Sequence, residues 1–404
     1  MKKTILIVFI LSILGCKEEK NTSPENSKIQ IEIQKKLKKT DLPYEVIETS
    51  IAFLTNPIRV DNSLQLKYEL NILNNFKIPF TLHKVEIYDL EKEDKPLAVF
   101  NNDYIDENFD RPGNKNLKDL KQLSANEFGV LNLNLILKQE QSMPKTIFHK
   151  LYFSRIKRNG DKAIHAMEVA VTKIPETNKL TFGFPFKKKG KWLYEAKSHQ
   201  GARYITEGRA TYPQRFAIDW TLIDDNGNFA KNDIKKNENW ETYGVELISV
   251  ADGKVIEIKN GIIENIPLSE EMAIRITRET IGGNYVIIDI GNNRYAFYGH
   301  LIPNSLKVKV GDTVKKGQVI GLLGNSGNSD APHLHFHLET KSNAFFGGEG
   351  IPYHINKYTQ LKNYSEQEVI DLFNNNVVRL DSVNPIKKRN ELPIGYGLIE
   401  IDHH

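Results

Sequence analysis

The pattern that decides the fold of this chain lies in Asp330-Ala331-Pro332-His333-Leu334-His335-Phe336-His337-Leu338-Glu339. Apolar residues alternate there with His333, His335 and His337, which is the period of a half-buried strand. The three imidazoles therefore project from one face while the apolar side chains enter a core. Two histidines two residues apart on a rigid strand can place one nitrogen on a metal ion and another beside it for acid–base chemistry. Three of the chain's 11 histidines lie within five positions. This clustering disfavours the alternative that they occur by chance on an ordinary polar strand face.

Apolar and polar residues also alternate over strand-length segments elsewhere in the chain. The alternation is regular at residues 64–72, 131–135 and 167–171, with turn-rich segments between, which predicts an immunoglobulin-like β-sandwich over residues 41–175. Beyond a boundary at residues 174–178, short strands with glycine at their turns lie in the regions 245–258, 285–298 and 308–324. These predict a second β domain over residues 178–380, followed by a C-terminal extension over 381–404. The fold class is therefore mainly β, with one helix signalled by the capping box Ser365-Glu366-Gln367-Glu368.

Composition and charge exclude several classes of protein. The 404 residues are 40% hydrophobic and 26% charged, which is ordinary for a globular protein of two or three domains. The net charge of +4 is small, and the basic run Lys187-Lys188-Lys189-Gly190-Lys191 has no interleaved aromatic residues, so no nucleic-acid partner is expected. Cys16 is the only cysteine, which excludes a disulfide framework and a thiolate site elsewhere.

The first residues have the features of an export signal. Lys2-Lys3 precedes an apolar run over residues 4–14 that is too short to span a bilayer. The sequence Ile13-Leu14-Gly15-Cys16 resembles a bacterial lipobox, which implies a signal peptide over residues 1–16 and lipidation of Cys16. Residues 17–40 are predicted to be a flexible tether, and Lys17-Glu18-Glu19 resembles the surface-export signal of Bacteroidetes lipoproteins. The expected location is the bacterial cell envelope, with a lipid anchor in the outer membrane and the orientation, periplasmic or surface-exposed, left open.

Four motifs in the second half match one family in their order and spacing. They are Gly299-His300-Leu301, Val310-Gly311-Asp312-Thr313-Val314-Lys315-Lys316-Gly317-Gln318-Val319-Ile320-Gly321, Gly324-Asn325-Ser326-Gly327 and Pro332-His333-Leu334-His335-Phe336. Together they resemble the M23 (LytM/lysostaphin-type) metallopeptidases over residues 184–358. The resemblance implies an antiparallel β-sheet domain around a groove, one bound zinc ion, and hydrolysis of peptide bonds, usually in bacterial cell-wall peptidoglycan.

The resemblance also implies roles for individual residues. His335 corresponds to a zinc ligand, whereas His333 and His300 correspond to the paired histidines that do not bind the metal. A catalytic zinc takes three protein ligands and a water, and Asp219 is expected to be the second ligand. Asp219 lies opposite the apolar residues of a strand otherwise built for burial, so it needs a partner; the segment is Gln214-Arg215-Phe216-Ala217-Ile218-Asp219-Trp220. The alternative partner is Arg215 or another cation.

The third ligand departs from the usual pattern. Most family members carry a histidine four residues before the aspartate, where this chain has Arg215. A subset of the family carries its ligand histidine in an upstream loop, so the resemblance favours His199. A loop of about twenty residues closes at little extra cost in entropy. The alternative is that His199 is an exposed loop residue; His354 is then the next candidate and activity comes into doubt.

The expected function is a zinc-dependent endopeptidase acting on peptidoglycan stem peptides or cross-links. His333 is the expected general base and His300 the expected donor to the oxyanion. His337, about 6.6 Å along the strand from His335, is expected to support the site or line the groove. Three histidines of the N-terminal region, His83, His149 and His165, are expected to be ordinary strand residues.

Two alternatives come from other classes of protein. The first is a catalytically inactive M23-like envelope protein that binds or activates a partner such as a cell-wall amidase. The second takes residues 308–321 as a biotinyl or lipoyl carrier hairpin. A carrier needs a modifiable lysine at a hairpin tip and a cytosolic modifying enzyme, and both the export signal and the His-Leu-His pattern argue against it. Zinc content would separate an enzyme from a scaffold.

Overall fold

The structure is a computed structural model that describes residues 46–401 except 93, 114–116, 139–140, 158, 342–346 and 381–382. The predicted signal peptide, the lipidation site at Cys16 and the tether lie outside the described residues. The chain divides into two compact units between Asn178 and Lys179. Both units are built mainly from strands, which confirms the mainly β prediction.

The described part of the N-terminal unit contains two five-stranded sheets. One has the order β1-β3-β8-β6 with β2 paired to β3, and the other has the order β10-β9-β4-β5 with β7 paired to β4. Its elements are β1 (Ile47–Ser50), β2 (Ile58–Val60), β3 (Ser63–Asn74), β4 (Phe80–Asp89), β5 (Ala98–Phe100), α1 (Asn102–Asn108), β6 (Phe109–Asp110), β7 (Gln122–Leu123), β8 (Phe128–Lys138), β9 (Thr146–Ile156) and β10 (Lys162–Lys173).

One hydrophobic core joins these two sheets. Leu70 on β3 and Leu135 on β8 are fully buried in the same cluster as Ile87 on β4 and Leu151 on β9. The two sheets therefore pack face to face through the inward residues of each alternating strand. Full burial of each aliphatic side chain is worth roughly 1.5–3 kcal/mol, so this core is the main stabilisation of the unit. The immunoglobulin-like connectivity stays a prediction.

The three histidines of this unit contact polar groups of neighbouring strands. The Tyr68 hydroxyl lies 2.6 Å from Nε2 of His149, and Nδ1 of His149 lies 3.2 Å from the carbonyl oxygen of Ala170. Since a carbonyl can only accept, Nδ1 carries the proton and Nε2 accepts from the tyrosine. Nε2 of His83 lies 2.7 Å from the Ser154 hydroxyl, and Nε2 of His165 accepts a hydrogen bond from Nε of Arg155 at 3.0 Å.

Acid is expected to destabilise the N-terminal unit through His149. Burial lowers the pKa of His149 to about 4, below the value of about 6.5 in an unfolded chain. As the pH falls from about 6.5 toward 4, only the unfolded chain takes up the proton, so the free energy of unfolding falls by about 1.4 kcal/mol per pH unit. Hydrogen exchange of the amides in β3 and β9 at pH 7 and pH 5 measures this loss. The variant His149→Gln should show a shallower pH dependence, and an unchanged slope would contradict the assignment.

The described part of the C-terminal unit is organised around a ten-stranded sheet whose neighbouring strands are all antiparallel. Its order is β20-β17-β18-β19-β22-β15-β12-β26-β24-β25. The strands are β11 (Thr181–Phe182), β12 (Gly190–Glu195), β13 (Tyr204–Thr206), β14 (Arg209–Thr211), β15 (Ile218–Ile223), β16 (Glu246–Ile248), β17 (Gly253–Lys259), β18 (Asn284–Asp289), β19 (Tyr295–Leu301), β20 (Thr313–Val314), β21 (Val319–Leu322), β22 (Leu334–Glu339), β23 (His354–Ile355), β24 (Tyr358–Tyr364), β25 (Ile386–Lys388) and β26 (Tyr396–Ile401). The residues that we expected to form a C-terminal extension thus supply β25 and β26 to this sheet.

The predicted capping box begins helix α2, Glu366–Asn375. The Ser365 hydroxyl accepts from the backbone N–H of Glu368, and the Glu368 carboxylate accepts from the backbone N–H of Ser365 at 2.7 Å. Val369 and Leu372 are buried in a cluster with residues of the sheet, which fixes the helix on one sheet face. Among the described residues, neither this helix nor any other is long and apolar enough to cross a membrane.

Candidate metal centre

The register between two central strands brings Asp219 and His335 together. On β15 and β22 these two residues are direct antiparallel partners, and so are Ile218 with Phe336 and Trp220 with Leu334. Directly paired residues project from the same face with Cβ atoms about 5 Å apart. The apolar partners fill the opposite face, where they are buried. Strand β15 begins only at Ile218, so Phe216, which we expected on the strand, lies in the preceding turn.

A loop residue completes a group of three. Nε2 of His199 lies 2.8 Å from Oδ2 of Asp219, and Nδ1 of His335 lies 2.8 Å from Oδ1 of the same carboxylate. Within the described part of the chain, these three residues form the one group of His, Cys, Asp or Glu whose ligand atoms could hold a metal, with all atoms within 4.8 Å of one another. Two imidazoles and a carboxylate are the donor types of catalytic zinc sites, so the residues fit the expected ion.

Charge at the site is concentrated on the carboxylate. Burial alone would raise the pKa of Asp219, but His199, His333 and His335 hold it well below its usual range. Burial likewise opposes the charged form of His199, yet the Asp219 carboxylate prevails and raises the pKa of His199 to about 9. Burial lowers the pKa of His335 to about 4. Both shifts come from one charge-assisted contact, in which Nε2 of His199 donates to Oδ2 of Asp219 at 2.8 Å.

A backbone carbonyl fixes the tautomer of the neutral His333 ring. Nδ1 of His333 lies 2.9 Å from the carbonyl oxygen of Ala331, so this nitrogen carries the hydrogen. Nε2 of the same ring is then a lone-pair acceptor, and it lies 3.6 Å from Oδ2 of Asp219. The side chain is buried beside the candidate ligands but is not one of the three. This is the geometry that a general base requires.

His300 stands beside His333 with the same tautomer. The two ring centres are 4.7 Å apart, and Nδ1 of His300 lies 2.7 Å from the carbonyl oxygen of Ser326. Burial and the neighbouring His333 and His335 hold the pKa of His300 well below its usual range. In the resting site its Nε2 is therefore an acceptor, and His300 can donate to an oxyanion only after it takes up a second proton. Its backbone φ of 65° is in the left-handed region, which costs about 1–3 kcal/mol for a residue other than glycine and is typical of functional sites.

His337 supports His335 from the next position on the strand face. Nδ1 of His337 lies 3.0 Å from Nε2 of His335, the nitrogen that does not face Asp219. The His337 ring also stacks on Phe297, with ring centres 4.9 Å apart. In the neutral ring Nδ1 of His335 donates to the Asp219 carboxylate, so Nε2 accepts from Nδ1 of His337. With a metal ion on Nδ1, Nε2 would carry the hydrogen and donate to His337 instead, and such a partner fixes the tautomer and orientation of a ligand histidine. His337 is therefore placed as a support for His335 rather than as a ligand.

Removing the His337 imidazole is expected to weaken metal binding without abolishing it. The variant His337→Phe keeps the ring packing on Phe297 but loses the acceptor for His335, and loss of such a partner typically costs 10–100-fold, roughly, in metal affinity. Competition with a zinc-sensitive chelating dye measures the change. A variant with the affinity of the parent would show that the 3.0 Å contact does not orient His335.

Arg215 and His354 have other partners. The Arg215 guanidinium lies 3.1 Å from the Glu349 carboxylate and stands over the Tyr212 ring, so it is not the cation that pairs with Asp219. His354 lies on the short strand β23, where its backbone N–H donates to Leu180, and it is outside the group of three.

Sequence reasoning did not single out Glu195 or Ser326. The Glu195 carboxylate accepts from the backbone N–H groups of Lys197 and Ser198, both at 2.8 Å, and so shapes the loop that delivers His199. The Ser326 carbonyl fixes the tautomer of His300. An acid four residues before the loop histidine is the signal that could have indicated Glu195, whereas a backbone carbonyl leaves no signal in the sequence.

Comparison with known proteins identifies the domain that holds most of these residues. The family model of Peptidase family M23 matches residues 240–346, which include His300, His333 and His335. The chain contains a peptidase family M23 domain. His199 and Asp219 lie before the matched segment, so their membership of the site depends on the geometry described above.

Relatives of the M23 domain share only part of their length with this chain. The peptidoglycan DD-endopeptidase ShyA of Vibrio cholerae is 48% identical over 56 residues, which are 14% of this chain and 13% of that protein. The glycyl-glycine endopeptidase ALE-1 of Staphylococcus capitis is 45% identical over 62 residues, which are 15% of this chain and 17% of the relative. The solved catalytic domain of lysostaphin from Staphylococcus simulans is 27% identical, covers 31% of this chain and 86% of its own, and has a TM-score of 0.19.

Proposed function

We propose that this protein is a zinc-dependent endopeptidase that hydrolyses peptide bonds in peptidoglycan stem peptides or cross-links. The observation that carries the proposal is the convergence of His199, Asp219 and His335 within 4.8 Å, with Nε2 of His333 3.6 Å from Oδ2 of the same carboxylate. The names of the relatives, a peptidoglycan DD-endopeptidase and a glycyl-glycine endopeptidase, support the substrate class.

In this proposal His199, Asp219 and His335 hold the ion. Zinc bound by three such ligands supplies a Lewis acid and an acidified water. His333 takes a proton at Nε2 from the attacking water, because its Nδ1–H is committed to the Ala331 carbonyl. The same nitrogen then delivers the proton to the amine nitrogen as the C–N bond breaks, which regenerates the base.

We propose a sequence of two hydrogen-bonding states for His300. We expected a donor to the oxyanion, but the Ser326 carbonyl occupies its Nδ1–H and its Nε2 is an acceptor when the ring is neutral. We propose that His300 first accepts a hydrogen bond from the water or from protonated His333, whose ring centre is 4.7 Å away. Once protonated, it can donate to the oxygen that becomes negatively charged.

Metal content and digestion of isolated sacculi test the function together. We expect one zinc per purified chain by mass spectrometry, release of new amino groups from sacculi, and loss of this release after chelation with recovery on adding zinc. His165→Gln, which alters a buried histidine of the N-terminal unit, is the matched control and should behave as the parent. Stoichiometric zinc with no hydrolysis of sacculi or peptides would overturn the proposal and favour the inactive, partner-binding alternative.

We also propose that Cys16 anchors the protein to the outer membrane through a lipid. The lipobox that ends at Cys16 and the polar tether after it support this location. Cys16→Ala is expected to move the protein from the detergent phase to the aqueous phase on phase separation, and to lose incorporation of a labelled fatty acid. Cys16→Ser is a size-matched control that should behave as the alanine variant does. Membrane association that persists in both variants would rule out the anchor.

A further inference from the structure

An open pocket lies between the β13–β14 hairpin and a turn that precedes β18. Its volume is about 340 Å³, at the lower end of the range for ligand pockets, and it is lined by Tyr204, Ile205, Ile276, Thr277, Arg278 and Ile281. Three isoleucines and a tyrosine ring make most of this lining apolar. The Ile205 side chain is 58% exposed, which is unusual for a large aliphatic residue beside three other apolar ones.

Strand register places this pocket over the face of the sheet that carries the metal centre. His337 is the direct partner of Phe297 on β19, and Phe297 is the direct partner of Ile287 on β18, so these side chains share the face of His335. Tyr204 and Ile281, which line the pocket, pack on the cluster that contains Ile287 and Phe297. Since strands are about 4.8 Å apart, two strand spacings from β22 to β18 put the pocket about 10 Å from the candidate ligands.

Both walls of the pocket are fixed by hydrogen bonds. On one side the Tyr204 hydroxyl donates to the Gln214 side chain at 3.2 Å. On the other side the Thr280 hydroxyl accepts from the backbone N–H of Thr277 and donates to the Arg275 carbonyl, both at 2.8 Å. The backbone N–H of Ile281 donates to the Thr277 carbonyl at 2.9 Å. A pocket with fixed walls loses little conformational freedom on binding.

We infer that this pocket is a specificity site that receives an aliphatic side chain of the peptide substrate. An extended peptide advances about 3.3 Å per residue, so a side chain within about three residues of the cleaved bond can span the distance of about 10 Å. Apolar walls bury the methyl or methylene groups of an aliphatic side chain, from alanine upward, and gain nothing from glycine. The inference rests on the proposed peptidase function and adds the substrate preference to it.

Cleavage of a peptide library by the zinc-loaded full chain tests the inference. The library varies glycine, alanine, valine and leucine at each of the three positions on both sides of the scissile bond, and mass spectrometry reads the products. We expect leucine to exceed glycine in kcat/KM by at least about 100-fold at one position, with alanine between them, because each methylene in an apolar pocket discriminates by roughly tenfold or more. Ile205→Asp and Ile276→Asp should each reduce this ratio at least tenfold while the chain keeps its zinc.

The control is Ile386→Asp on β25, at the far edge of the ten-stranded sheet, where the side chain is 48% exposed. This variant should retain the leucine preference of the parent. An equal rate for all four residues in the parent, or a preference that survives in both pocket variants, would overturn the pocket assignment while leaving the peptidase function in place. A zinc-loaded parent that cleaves no library member and no sacculi would overturn both, so the two failures are distinguishable.

Discussion

Replacing Asp219 by alanine is expected to remove zinc and hydrolysis together. The Asp219 carboxylate contacts His199 through one oxygen and His335 through the other, each at 2.8 Å, so its loss leaves two imidazoles with nothing between them. Two ligands do not fix a tetrahedral site. The loss of affinity should therefore exceed the roughly 10–100-fold that removal of a supporting partner causes. Zinc per chain after dialysis, with circular dichroism as a check of folding, measures the effect.

Control variants make this prediction specific. Asp289→Asn changes an acid at the end of β18, two strands from β22, and should retain both zinc and activity. His335→Ala should match Asp219→Ala. His199→Ala tests the ligand that departs from the usual family pattern, and it should also lose the ion. If His199→Ala binds zinc and cuts substrate as well as the parent, His199 is not a ligand and His354 must be tested instead.

Replacing His333 by alanine is expected to stop hydrolysis while zinc stays bound. The imidazole is not among the three candidate ligands, but its Nε2 lies 3.6 Å from Oδ2 of the Asp219 carboxylate. Removing a positioned general base typically costs about 10²–10⁴-fold in rate. The release of amino groups from sacculi at saturating substrate and the zinc content of the same sample measure the two effects separately.

The variants His333→Ala and His165→Ala form a matched pair. His165 is a buried histidine of the N-terminal unit that contacts Arg155, so its loss should leave catalysis unchanged. A His333→Ala variant that loses zinc would make His333 a ligand. One that keeps both zinc and full activity would remove it from the mechanism, and His300 would become the candidate base.

Several elements of the fold could be predicted because their signals are local. The alternation at residues 64–72 predicted a strand, and β3 spans Ser63–Asn74. The His-x-His-x-His alternation predicted a strand, and β22 spans Leu334–Glu339. The capping box predicted a helix start, and both of its hydrogen bonds form at Ser365. Side-chain period and capping depend on residues within one turn or a few positions, so the sequence contains the whole signal.

The sequence predicted less about strands that are short and about strands whose place in the sheet depends on partners far away in the chain. The region 308–324 contains only the two short strands β20 and β21, because its glycines turn the chain between them. The sequence predicted only an extension over residues 381–404. In the structure, β26 of this segment lies between β12 and β24 in the sheet. Its place follows from two partners more than thirty residues away in sequence, as the pairs Leu398–Leu193 and Ile399–Gln360 show.

The sequence by itself determined which side chains can perform the chemistry and which face of its own strand each one occupies. His335 lies opposite Leu334 and Phe336, and Asp219 lies opposite Ile218 and Trp220, because side chains alternate with a period of two. Only the tertiary structure decided that Asp219 and His335 are direct partners across 116 positions, and that a loop brings His199 to the same carboxylate. Register between strands and the path of a loop depend on hydrogen bonds and packing between segments far apart in the chain, so no local pattern contains them.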